Sequence, residues 1–218
     1  MACENCNPTE YYPGKIIRCN SNLGTCSICG SKIMQPSTGL NHKWDIYFHT
    51  ICEAVASKSP CLSRKIGAIL VKDHSIVSTG FNGPSRGIPH CGHDRFASDK
   101  SFIEYCQDEF KKQGTFPNRR RLIEECPRKL LNYASGTHME LCPAVHAEAN
   151  AVIDAARKGA STIGTTLYMN CIIPCKNCFS LLINAGIVSI VVDDTKVYDS
   201  HTQYLINNSK INIRRFEI

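Results

Sequence analysis

The chain has 218 residues, of which 43% are hydrophobic with 14 Cys in that count, and its net charge is 25 − 19 = +6. Without the cysteines about 37% of the chain is aliphatic or aromatic, which suits a globular protein and excludes a fibre or a disordered chain. No apolar run approaches the roughly 18 residues of a bilayer span, and the start, Met1-Ala2-Cys3-Glu4-Asn5-Cys6, lacks the pattern of a signal peptide. A cytoplasmic protein is therefore expected, and fourteen cysteines in a reducing compartment point to metal binding or catalysis rather than disulfides. A charge of +6 fits an anionic small molecule as readily as nucleic acid.

Residues 1–40 are rich in Cys, Gly, Asn, Ser and Pro and show little periodicity, as expected where a metal takes the place of a core. Cys3-x-x-Cys6, 19 residues and then Cys26-x-x-Cys29 before Gly30 have the spacing of a four-thiolate zinc ribbon. Its expected role is structural, with nucleic acid or a neighbouring subunit as the alternative.

The main domain is expected over 41–218. Trp44, Ile46, Tyr47, Phe48, Ile51, Ala54 and Val55 recur at three and four residues, which predicts an amphipathic helix over 44–57. Ile66–Val71 and Ile76–Phe81 read as strands joined in a hairpin at Asp73 and His74. A long polar insertion follows at about 84–143, with a helix near 102–112. Between His90 and Cys142 it has 9 Lys+Arg against 8 Asp+Glu, so the Arg119-Arg120-Arg121 run reads as a solvated face rather than a nucleic-acid patch. Helix 146–158, strand 165–170, helix 175–185, strand 188–192 and a last helix and strand then alternate. That alternation predicts a three-layer α/β/α domain with a partly parallel sheet.

The chemistry-bearing signal is His146-Ala147-Glu148 with Pro174-Cys175-Lys176-Asn177-Cys178, each at the predicted start of a helix. Cys175 and Cys178 share one helix face, and a helix N-terminus stabilises thiolates. His146 and Glu148, two residues apart, would point about 200° apart inside a helix and converge only at its end. One imidazole and two thiolates from two facing helix N-termini can hold a zinc ion with one tetrahedral position open, which is a catalytic arrangement. Glu148 is then the proton shuttle. A closed zinc knuckle is the alternative, but a knuckle has no use for Glu148.

His146–Val152, Pro174–Cys178, and Gly67-Ala68-Ile69-Leu70-Val71 leading to Gly80-Phe81-Asn82-Gly83 resemble the deoxycytidylate (dCMP) deaminase family over about residues 44–193. The resemblance implies a mixed five-stranded sheet between helices, a homo-oligomer that is often a hexamer, and control by dCTP and dTTP effectors, with Mg²⁺ accompanying the nucleotide. It implies hydrolysis of dCMP at C4 of the base to dUMP and ammonia, with Glu148 carrying the protons. Asn82 matches the family position that holds the sugar, and Ala147 lies against the substrate. Arg64 and Arg86 flank the nucleotide-facing region as phosphate candidates, and Arg157 is a candidate subunit or effector contact.

Cys61 and Cys91 match positions at which some phage members hold a second, non-catalytic zinc. His138 and Cys142 are candidates to complete it, with His90, His93, Cys106 and Cys126 as competitors. The expected metal content is one catalytic zinc and one or two structural ones. Cys19, Cys52 and Cys171 read as small buried residues. Two other functions stay open: a deaminase of a polynucleotide or tRNA base, disfavoured by the scarcity of aromatic residues for stacking, and a non-catalytic zinc-binding module.

Overall fold

The computed structural model describes residues 42–218 except Ser135 and Tyr198; Cys3, Cys6, Cys26 and Cys29 of the expected ribbon, and Cys19, lie outside the described residues. Helix α1 (His42–Ala56) leads into strands β1 (Gly67–Lys72) and β2 (Ser75–Phe81). Asp73 and His74 both have positive φ (49° and 60°), the conformation of the tight turn expected there. The His74 ring stacks on Trp44 at 4.2 Å, which ties that turn to α1.

The insertion hangs on a two-residue ribbon, β3 (Gly83–Pro84) paired with β4 (Ala144–Val145). It holds α2 (His93–Ser98), α3 (Lys100–Gln113), α4 (Arg119–Glu124), α5 (Pro127–Leu130) and a 3₁₀ turn at Met139–Leu141. The sequence had marked only α3. The insertion has its own small core of Phe102, Cys106, Phe110 and Leu131, and we refer to it as the cap. Arg120 and Arg121 pair with Glu124 and Glu125 one turn on, at 2.9 and 2.6 Å, so most of the arginine run's charge is spent within α4.

Beyond the cap come α6 (Ala147–Arg157), β5 (Thr166–Ile172), α7 (Lys176–Asn184), β6 (Ser189–Asp194), α8 (Ser200–Asn208) and β7 (Asn212–Arg215). The sheet order is β2-β1-β5-β6-β7. The β2-β1 and β1-β5 pairs are antiparallel, and the β5-β6 and β6-β7 pairs, each bridged by a helix, are parallel. The expected mixed five-stranded sheet is therefore present.

Strand alternation sorts the side chains into two layers. Ala68, Leu70, Leu167, Met169, Ile190, Val192 and Ile213 face α6, α7 and α8, where they meet Ala151, Ala155, Phe179, Leu182 and Ile206. Ile69, Val71, Tyr168 and Val191 face the other way, onto Phe48 and Cys52 of α1. Two glycines set how closely the helices approach. A Cβ at Gly67 would strike the backbone of Cys52 and Ala56, and one at Gly80 the backbone of Ala147 and Ala151. The second contact brings the start of α6 hard against β2.

Candidate active site

Both motifs sit at helix N-termini. His146 is the N-cap of α6, in extended backbone (φ −71°, ψ 153°), and Cys175 is the N-cap of α7 (φ −63°, ψ 163°). Their carbonyls accept the first intrahelical bonds, from Asn150 N at 3.0 Å and Phe179 N at 2.8 Å. The N-cap geometry resolves the 200° problem, because His146 lies outside the helix that carries Glu148. Further ties hold α6 in place: Asn150 Nδ2 donates to Phe81 O (2.8 Å), Ser78 Oγ to Ala151 O (2.8 Å) and Thr79 N to Asp154 Oδ2 (3.2 Å).

His146 Nδ1 lies 3.5 Å from both Cys175 Sγ and Cys178 Sγ and 3.6 Å from Glu148 Oε1. The four ligand-type atoms lie within 4.8 Å of one another. A tetrahedral zinc with its usual Zn–N and Zn–S lengths separates nitrogen from sulfur by about 3.6 Å. The donor set and the spacing therefore fit a zinc ion with His146, Cys175 and Cys178 as ligands and Glu148 beside it. Hydrogen bonding from Cys178, then from His146, lowers the Cys175 thiol to about 4, while hydrogen bonds with Cys175 and Glu148 raise the imidazole to about 10. The Cys178 thiol is raised by its hydrogen bond to Cys175 and by burial. Glu148 itself is 4% exposed.

His146, Glu148 and Cys175 line a cleft of about 100 Å³ at the C-terminal end of β5. Ala147, Asn82 and Arg64 are among the residues that line it, and Arg86 is not. Ala147 is the first residue of α6, so its backbone N–H has no partner within the helix. Asn82 is largely committed to its own fold: Oδ1 accepts from Ser59 Oγ (2.7 Å) and Ile66 N (2.8 Å), and Nδ2 donates to Arg64 O (2.8 Å). One amide hydrogen is left over for a ligand. Arg157 is in the last turn of α6, outside the cleft.

The expected further zinc quartet is brought together only in part. Cys61, Cys126 and Cys142 line the same cleft. Burial pushes the Cys91 thiol up to about 11, and the neighbouring Cys142 and Cys126 add to the shift. His138 is engaged elsewhere: its residue has left-handed backbone (φ 50°), its ring stacks on Tyr133 at 3.7 Å, and its Nδ1 is 3.2 Å from Glu140 Oε1. Among the described residues, no second group of three or more ligand-type side chains closes to the spacing of the His146 group. Of the competitors, His90 Nδ1 meets Cys91 O at 2.6 Å, His93 lies beside Asp94, and Cys106 is buried in the cap core. Cys52 is buried under the sheet and Cys171 partly buried in the cleft wall. Arg128 and Met139 of the cap also line the cleft, and neither carried a signal in the sequence.

Comparison with known proteins agrees with this geometry. Residues 42–193 match the model of the cytidine and deoxycytidylate deaminase zinc-binding region. The deoxycytidylate deaminase of Mycobacterium phage D29 is 35% identical over 148 residues, 68% of this chain and 92% of that protein. The deoxycytidylate deaminase of Schizosaccharomyces pombe is 25% identical over 174 residues, and that of Saccharomyces cerevisiae 24% over 184. The chain spans about half the length of these two, 44% and 46%. The crystal structure of dCMP deaminase from cyanophage S-TIM5 shares the fold, with a TM-score of 0.50 at 19% identity over 84% of this chain and 99% of that one. No described helix is long and apolar enough to cross a membrane. With the zinc-binding motifs assembled at two helix N-termini within the matched region, the chain belongs to the cytidine and deoxycytidylate deaminase family.

Proposed function

We propose that the protein is a zinc-dependent hydrolase that deaminates dCMP to dUMP and ammonia. The observation that carries this reading is the convergence of His146, Cys175 and Cys178 with the buried carboxylate of Glu148 beside one cleft. A zinc ion held by these three ligands supplies a Lewis acid that brings the pKa of a coordinated water near neutrality.

The chain's own groups do the rest. Glu148 accepts a proton from the attacking water and delivers it to N3 of the base; it then takes the second proton from the new C4 hydroxyl and passes it to the amine, so that the C4–N bond breaks to give ammonia as C4=O forms. The free N–H of Ala147 and the remaining amide hydrogen of Asn82 are the donors available to orient base and sugar. Arg64 is at hand for the phosphate. A deaminase of a polynucleotide gains nothing from α4, where Arg120 and Arg121 are paired with glutamates.

The same reading assigns the remaining metal to two further places. One is Cys3, Cys6, Cys26 and Cys29. The other is Cys61 with the cap residues Cys91, Cys126 and Cys142, Cys126 taking the place of His138, supported by the shared cleft lining of Cys61, Cys126 and Cys142 and by the influence of Cys142 and Cys126 on the Cys91 thiol. It also carries a cytoplasmic homo-oligomer, on the hexameric plan, under dCTP and dTTP control with Mg²⁺. A zinc count of three per chain is expected, falling to two in Cys126→Ser.

The deciding experiment is ammonia release by the zinc-loaded protein from dCMP, CMP, deoxycytidine, dCTP and a short cytosine-containing single strand. Selective turnover of dCMP is expected. Turnover of the strand alone, or of nothing with effectors and Mg²⁺ present, overturns the proposal.

A further inference from the structure

The charged residues lining the cleft, besides His146, are Arg64, Arg128 and Glu148. Apart from Glu148, beside the metal ligands, the cleft lining holds no carboxylate, and Arg64 and Arg128 are its guanidinium groups. Of the cap arginines, Arg86, Arg119 and Arg128 have no ion pair with a carboxylate among the described residues, and of these Arg128 lines the cleft. Arg95, Arg120 and Arg121 are each neutralised by a carboxylate four residues on, Asp99, Glu124 and Glu125. Arg128 has no such ion pair among the described residues. Its Nε donates to Thr137 O at 2.9 Å and its Nη2 to Ala134 O at 3.2 Å.

Two backbone carbonyls fix the plane of a guanidinium without cancelling its charge, and a rigid fork with charge to spare is the group best matched to a phosphate dianion. Because the fork is already oriented, binding pays little further ordering cost. The next residue, Lys129, donates to Ser63 O at 3.4 Å, which stitches α5 to the loop that carries Arg64.

We propose that Arg128 is a specificity-determining residue: together with Arg64 it receives the 5′-phosphate of a nucleoside monophosphate, and the cap thereby distinguishes a nucleotide from a nucleoside. The proposal rests on the reading of this cleft as the site of a cytosine-nucleotide deaminase and assigns the substrate's anionic end within it.

The test uses the zinc-loaded full chain with Arg128→Gln and Arg128→Lys. Calorimetry gives the dissociation constants of dUMP and deoxyuridine, which require no turnover, and steady-state kinetics give kcat and KM for dCMP and deoxycytidine. The wild-type protein is expected to bind dUMP more tightly than deoxyuridine. Arg128→Gln should weaken dUMP binding and raise KM for dCMP, each by roughly 10- to 100-fold, the range for one charge-assisted hydrogen-bonding group, with deoxyuridine binding unchanged. Arg128→Lys, which keeps the charge but not the fork, should fall between. Equal weakening of dUMP and deoxyuridine, which is what a mere prop for residues 134–137 would give, overturns the proposal, as does no weakening. If wild-type protein shows the Arg128-dependent dUMP preference but deaminates nothing, the deaminase reading fails and the phosphate site stands. If it deaminates dCMP with no dependence on Arg128, only the present proposal fails.

Discussion

Asp45, fully buried on α1, grips the guanidinium of Arg214 on β7 with two hydrogen bonds of 2.5 and 2.8 Å and also accepts the backbone N–H of Glu217 at 2.8 Å. Residues 169 positions apart thus lock the edge strand of the sheet to the first described helix. Removing one partner leaves an uncompensated buried charge. Asp45→Ala is expected to cost about 3–5 kcal/mol, read as a lower urea midpoint. Replacing both partners, Asp45→Leu with Arg214→Met, should recover most of that loss.

Glu148→Gln preserves shape and loses the proton-carrying function. Turnover of dCMP should fall by roughly 10²- to 10⁴-fold or more while zinc content stays at the wild-type level. Near-normal turnover would remove Glu148 from the reaction. Cys175→Ser is the contrasting variant, in which zinc and activity should be lost together.

Gly80→Ala tests the close approach of β2 and α6, since its Cβ would meet the backbone of Ala147 and Ala151. Backbone cannot rotate away as a side chain does, so the helix must shift. A destabilisation of about 1–3 kcal/mol or more is expected. Because the displaced segment carries His146 and Glu148, zinc affinity and kcat should drop with it, measurable by competition with a chelator and by initial rates.

Asp99 caps α3 by accepting Phe102 N at 3.0 Å, and that bond holds its carboxyl below the usual carboxylate range, with Arg95 adding to the effect. Asp99→Ala should cost about 1 kcal/mol at neutral pH. The folded-state value is depressed, so the contribution is complete above the unfolded value near 3.9 and is lost as pH falls through the lower folded value. Asp99→Asn should cap nearly as well without that dependence, which denaturation at pH 7 and pH 3 would reveal.

The α/β framework was legible because each element carried its own periodicity, from Trp44 through Val55 to the alternating strands whose odd and even residues divide between two layers. The metal-binding group was legible because both motifs adjoin helix starts, where residues two or three apart can converge. What stayed hidden depends on tertiary placement. Asn82 reads as a sugar ligand in its Gly-Phe-Asn-Gly setting, yet most of its amide is spent on Ser59, Ile66 and Arg64. His138 has the right chemistry and spacing beside Cys142, but Tyr133 and Glu140 claim its ring. Arg128 looks like any surface arginine until α5 is folded against residues 61–64. The short helices α2, α4 and α5, of six residues or fewer, are too brief for a periodic pattern to emerge.

The cap leaves and rejoins the domain through one pair of adjacent strands, Gly83 opposite Val145 and Pro84 opposite Ala144. With its ends held side by side, closing this long excursion costs the chain little entropy that the ribbon has not already met. Its core shares no residue with either layer of the sheet. The cap is therefore expected to open as a unit of its own, and amide exchange should resolve two tiers, cap protons lost through a partial opening and sheet protons through global unfolding. A wall of the cleft can then loosen, or differ in sequence from one relative to another, while the helix ends that hold the metal stay where they are.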